Sequence, residues 1–221
     1  MPKVALSVEG LFLGNNHKNH VTVFVLHNNS PQSPFNVNVK DCALYTLPDT
    51  AVQRNGKPMF VPDFAVPCTF HAHVALRLCR LGRSVSPRFA HRYWDAASVV
   101  AHFVATPLLE LAQREGLPWS CATGFDNALP VGDFVAKEVL LAADPQLAHR
   151  IVTSAGQQLE STMPDVENIA SEAIARISEF YMIRNGDVVL LPATDEGCSA
   201  VIDSHLEGFI AGNRVLSYNI K

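Results

Sequence analysis

The sequence predicts an α+β fold that is mainly β. From Cys42 onward, short apolar segments alternate with turn signals such as Asn55-Gly56, Val66-Pro67, Asn185-Gly186 and Gly212-Asn213, the pattern of a β-rich body. Only two stretches carry the helical period instead. No internal repeat or extended low-complexity tract divides the 221 residues, a length that buries a substantial core.

Taken in order, residues 1–40 stand apart as a divergent N-terminal segment. Two short apolar runs there flank the polar cluster from Gly14 to His20, and a Ser/Pro/Asn-rich loop follows at 27–38. The body is residues 41–221. Thr69 to Leu78 alternates with period two, so His71, His73 and Arg77 share one face while Phe70, Ala72, Val74, Leu76 and Leu78 share the other. Ser98 to Ala105 is an apolar strand with His102 inside it. A short helix follows, with Thr106 as cap, Pro107 at its first position and Gly116 as its C-terminal stop. A longer helix runs from near Asp165 to about Ile183, because Ala170, Ala173, Ile174, Ile177 and Tyr181 recur on one face. Val188 to Leu191 reads as a strand.

Composition narrows the function. A net charge of −4 with scattered Lys and Arg does not favour nucleic-acid binding. The apolar runs are far shorter than the roughly 20 residues of a membrane helix. Residues 1–13 lack a charged n-region and a cleavage site, so the start reads as mature sequence. Five scattered cysteines without a C-x-x-C pair argue against a disulfide framework and a thiolate zinc site, and point to a reducing cytoplasm. The phosphate-binding, nucleophile-elbow and H-E-x-x-H motifs are absent from the sequence.

The histidines carry the remaining chemistry. His71 and His73 project side by side, a geometry able to chelate one cation given a third ligand, although a wet polar strand face has the same pattern. His102 lies among apolar neighbours, where an unpaired ring costs roughly 1–3 kcal/mol, so it requires a partner, of which a metal is one candidate. His17 and His20 read as surface residues, and His27, His91, His149 and His205 carry no usable signal.

Several stretches resemble the fumarylacetoacetate hydrolase family, particularly its shorter bacterial members. They are Lys57 to Phe64, Arg80-Leu81-Gly82, Phe89 to Asp95, Gly116 to Trp119, Gly124-Phe125-Asp126, Gly186-Asp187-Val188 and Leu206-Glu207-Gly208, in order from about residue 44 to the C-terminus. The resemblance implies a mixed β-sandwich roll with a few short helices, residues 41–221 as the catalytic domain, a lid-like loop within 1–40, and a homodimer. It also implies a divalent cation held by Glu-x-Glu on one strand and Asp on another. Counting from the flanking motifs puts these positions on His71, His73 and His102.

Other family positions differ here. The lysines expected near the substrate carboxylate fall on Leu47 and Thr123, and the Arg-Asp pair on Thr106 and Pro107. The resemblance places substrate against Thr123, Phe125, Asp126 and Thr194, and its catalytic histidine on His20. The lid glutamate that partners this histidine has no counterpart, since no acid occurs between Glu9 and Asp41.

Three neutral imidazoles select a transition metal (Zn, Fe, Ni or Mn) over magnesium. The expected function is a metal-dependent enzyme acting through an enolate on a small β-dicarbonyl or 2-oxo substrate, by tautomerisation, decarboxylation or C–C cleavage. The alternatives are an inactive binding protein of the same fold and a three-histidine iron oxygenase that cleaves a β-diketone.

Overall fold

The computed structural model describes residues 5–6, 21–27, 38–53, 57–193 and 196–221. Its strands are β1 (Ala5–Leu6), β2 (Val23–His27), β3 (Ala43–Leu47), β4 (Val52–Gln53), β5 (Cys68–Leu78), β6 (Trp94–Ala105), β7 (Leu129–Pro130), β8 (Phe134–Ala136), β9 (His149–Thr153), β10 (Gln158–Ser161), β11 (Val188–Leu190), β12 (Cys198–Ser199), β13 (His205–Ile210) and β14 (Asn213–Asn219). The helices are α1 (Pro87–Ala90), α2 (Thr106–Glu115), α3 (Ser120–Thr123), α4 (Lys137–Ala143) and α5 (Val166–Phe180). Mainly β with a few short helices, this is the expected fold class.

Strands β5 and β6 form the spine. They pair antiparallel from Cys68↔Ala105 to Leu78↔Trp94, with a register irregularity at Arg77/Leu78. Around them lies an eight-stranded sheet in the order β1-β8-β6-β5-β11-β2-β3, with β12 also on β5. Strands from both sides of position 40 thus share one sheet. A second sheet runs β10-β9-β13-β14, and β4 and β7 form a short parallel pair.

Period-two alternation gives the large sheet two distinct faces. Phe70, Ala72, Val74 and Leu76 of β5 meet Ala101 and Phe103 of β6 in the main core, with Ile151, Leu206 and Tyr218 of the second sheet and Ala170, Ala173, Ile174 and Ile177 of α5. Phe70 and Phe103 stack at 5.5 Å between ring centroids. The opposite face buries a smaller cluster that includes Val23, Val25, Leu47, Ala75, Val100, Leu129, Phe134 and Leu190. On the polar face of β5, His73 is buried while Thr69, His71 and Arg77 are half-buried.

Helix α2 ends as expected, on Gly116 with φ 67° in the left-handed region. Its start differs. Thr106 lies within the helix and makes no capping bond; its hydroxyl instead pairs at 3.0 Å with that of Thr69, across the end of the β5–β6 ladder. Helix α5 is shorter than the periodicity suggested, stopping at Phe180 because Tyr181 turns extended and Ile183 bridges to Gly82. No helix among the described residues is long and apolar enough to cross a membrane.

Candidate active site

The three singled-out histidines come together on the face of the smaller cluster. His71 and His102 are direct partners across the β5–β6 ladder, and His73 lies one pleat further on, opposite Val100. Direct cross-strand partners stand on the same face with side chains in reach of one another. The His73 and His102 rings are 5.7 Å apart between centroids.

A break in the sheet opens this row. Strand β11 pairs with β5 over Ala75 to Arg77, and β12 pairs with it over Thr69 and Phe70. The connection between them begins at Leu191, whose amide donates to the Val74 carbonyl of β5 at 2.9 Å. Gly197 lies on that connection with φ 79°, and a Cβ there would come within 2.7 Å of His71 Cε1. Glycine is required twice, for its backbone conformation and for the imidazole against it.

His73 and His102 are almost fully buried, at 2% and 1% exposure. His73 Nδ1 donates to the Leu191 carbonyl at 2.8 Å, and His102 Nε2 donates to the Thr123 carbonyl at 2.7 Å. A carbonyl only accepts, so these bonds fix both tautomers and leave the lone pairs on His73 Nε2 and His102 Nδ1. Burial, reinforced by neighbouring histidines, holds His73 well below the ordinary imidazole value. Burial likewise lowers His102 to about 4, opposed by its bond to Thr123. Both rings are neutral near pH 7.

The residues expected around a substrate fall out differently. Thr123 is buried; its hydroxyl donates to the Trp119 carbonyl at 3.0 Å and its own carbonyl holds His102, so it serves as scaffold. Phe125 packs edge-on against Phe64 at 5.7 Å and lines an apolar cavity of about 520 Å³ with Pro48, Leu108 and Cys121. Asp126 is exposed. His20 and Thr194 lie outside the described residues. Leu47, at the position of the missing lysine, is buried in the smaller cluster.

Sequence reading passed over three residues that the fold brings to this face. His27 ends β2 in phase with Val23 and Val25, and its ring meets Trp119 edge-on at 5.5 Å. Tyr45 also meets Trp119 edge-on, at 6.0 Å, and burial raises its hydroxyl pKa. The signal for His27 was present in the alternation Val21, Val23, Val25, His27, a histidine continuing an apolar stripe. Trp119 and Tyr45 had none, because their meeting depends on how α3 folds over the sheet.

A cation of the kind expected here is tested by the donors themselves. Neutral imidazoles with one nitrogen tied to a backbone carbonyl and the other carrying a lone pair are what transition-metal ligation uses. As the side chains stand, no three His, Cys, Asp or Glu residues among those described are gathered closely enough to hold an ion. The donor chemistry fits a transition metal, and a bound ion would have to draw the rings inward.

Comparison with known proteins agrees with this fold. The family model for the fumarylacetoacetate (FAA) hydrolase C-terminal region matches residues 12–204. The chain belongs to the fumarylacetoacetate hydrolase family, whose members are enzymes. Among its relatives is the mitochondrial oxaloacetate tautomerase FAHD1 of Rattus norvegicus, 25% identical over 175 residues, covering 76% of this chain and 77% of the relative. Another is the mitochondrial oxaloacetate tautomerase oaa1 of Schizosaccharomyces pombe, 26% identical over 201 residues, covering 86% and 82%. The fold is shared with fumarylpyruvate hydrolase from Pseudomonas aeruginosa, solved in complex with Mn2+ and pyruvate. That match has a TM-score of 0.73 at 15% identity, covering 100% of this chain and 97% of the other.

Proposed function

We propose that this protein is a tautomerase or isomerase of enolisable oxo compounds, with a divalent transition metal held by His71, His73 and His102. The observation that carries the reading is the pair of buried neutral imidazoles, His73 and His102, each oriented by a backbone carbonyl with its second nitrogen available. Relatives named as oxaloacetate tautomerases support the reaction type. A cation held there supplies Lewis-acid polarisation of a substrate carbonyl.

The chain's own residues set the rest. Burial of the apolar cluster beneath the histidines excludes water and strengthens every electrostatic interaction in the site. Thr123 keeps His102 in one tautomer. Leu47 and Thr123 give a substrate carboxylate no cation, so the site suits a β-dicarbonyl or oxo compound bound through its carbonyl oxygens. Hydrolytic C–C cleavage is disfavoured, because no acid between Glu9 and Asp41 is available to orient a lid histidine. General-base assistance is typically worth 10²–10⁴-fold, so its loss alone makes acylpyruvate cleavage very slow.

The test follows exchange of α-protons for solvent deuterium by NMR, for oxaloacetate, an acylpyruvate and a neutral β-diketone. Metal-loaded protein should accelerate exchange and His102→Gln should not. Efficient acylpyruvate cleavage, or no exchange with any of the three, would contradict the reading.

A further inference from the structure

We propose that the substrate of this site carries an aromatic arm, seated in the cavity between Phe64, Leu108 and Phe125, and an uncharged oxygen held by Thr69 and Thr106. The inference rests on the reading that its carbonyl is polarised at His71, His73 and His102.

The histidine face is closed at one end and open at the other. His73 and His102 are buried, whereas His71 is half-buried, and so is Thr69, the neighbouring residue of β5 on that face. Thr106, also half-buried, starts α2 directly after β6, and its hydroxyl lies 3.0 Å from that of Thr69. A ligand therefore reaches the histidines over this hydroxyl pair. Their mutual bond uses one of the two hydroxyl protons, and among the described residues the other meets no second acceptor. It is left to donate to a ligand. The pair brings no charge, so it suits a carbonyl or hydroxyl oxygen and gives a carboxylate no counter-ion.

The cavity lies just beyond. Leu108 lines it from the first turn of α2, two residues after Thr106, while Ser120, Cys121 and Gly124 line it from the segment whose Thr123 carbonyl holds His102. None of the described lining residues is charged, and the volume of about 520 Å³ falls in the range of small-molecule sites. A carboxylate placed there would be buried without a partner. Phe64 and Phe125 meet edge-on at 5.7 Å, and an aromatic ring entering beside them extends that packing. Phe64 is 54% exposed although it lines the cavity, so a seated arm removes its ring from water.

The experiment uses calorimetry to compare acetylacetone with benzoylacetone, which has phenyl in place of one methyl, as ligands of the full-length protein with Zn2+. Wild type should bind benzoylacetone at least about tenfold more tightly. Cys121→Trp, which fills the cavity, should remove that preference. Thr69→Val, which keeps the shape and loses the hydroxyl, should weaken both diketones about threefold to tenfold. In wild type with labelled leucine methyls, the phenyl protons should show nuclear Overhauser contacts to Leu108, with or without zinc. That readout depends on no variant folding. Equal affinity for the two diketones with no contact to Leu108 would overturn the inference, whatever the exchange assay shows. Undiminished affinity for both in Thr69→Val would overturn the role of the hydroxyl pair. Contacts to Leu108 and a preference lost in Cys121→Trp, without any acceleration of α-proton exchange, would uphold the arm cavity and sink the tautomerase reading alone.

Discussion

His102 couples the site to the stability of the whole chain. Its folded pKa, about 4, lies below the unfolded value of 6.5, so the unfolded state binds the proton first on acidification. The sign follows directly: stability is intact above about pH 6.5, falls as pH drops, and levels off below about 4. At 1.36 kcal/mol per pKa unit the loss from His102 saturates at roughly 3 kcal/mol, with His73 acting in the same direction. Urea unfolding of metal-free protein at pH 7.5 and 4.5 should show this decline, and His102→Gln should flatten it. An unchanged slope in that variant would assign the acid sensitivity elsewhere. Gly197 is the second residue with a sharp consequence. Gly197→Ala places a side chain in the left-handed region and against His71, at a cost of roughly 1–3 kcal/mol. Its midpoint in urea should fall, and its affinity for Co2+ should fall with it; an unaltered cobalt titration would show that His71 does not depend on this contact.

The β5–β6 pair shows what a sequence displays and what it hides. Alternation made the two faces of β5 legible, and the apolar run made β6 legible, because each signal is local. The positions of His71, His73 and His102 as a set came from family resemblance, and the fold then put them on one face. What covers that face was not legible: the smaller core draws Val23, Leu47, Leu129 and Phe134 from distant segments. The partner that buried His102 requires was also hidden, since it is a backbone carbonyl in α3 and carbonyls carry no residue identity. On the opposite face, Phe103 is fully buried against Phe70 and Tyr218. Phe103→Ala should cost about 3–5 kcal/mol through the cavity it leaves, measured by urea unfolding. A cost below about 1 kcal/mol would mean that the spine is not where the main core is anchored.

At the scale of the whole molecule, the three histidines lie on one face of the large sheet while the second sheet and α5 bury the main core on the other. The same fold suggests assembly. Leu81 and Met182 flank the Gly82↔Ile183 bridge and are 66% and 49% exposed, with Phe180 close by at 63%. Exposed apolar groups of this kind mark association surfaces. We expect a homodimer, with light scattering giving twice the chain mass of 24.1 kDa at micromolar concentration. A mass of one chain would contradict it. The central claim is the metal site, and elemental analysis of protein purified without a metal-chelating tag tests it most directly. Wild type should carry one equivalent of a divalent transition metal per chain, lost in His71→Gln, His73→Gln and His102→Gln and released on acidification below the ordinary imidazole range, as pH falls towards about 4 where His102 takes up its proton. Metal-free wild type that takes up none on dialysis against Zn2+ or Mn2+, or full metal in all three variants, would contradict the account.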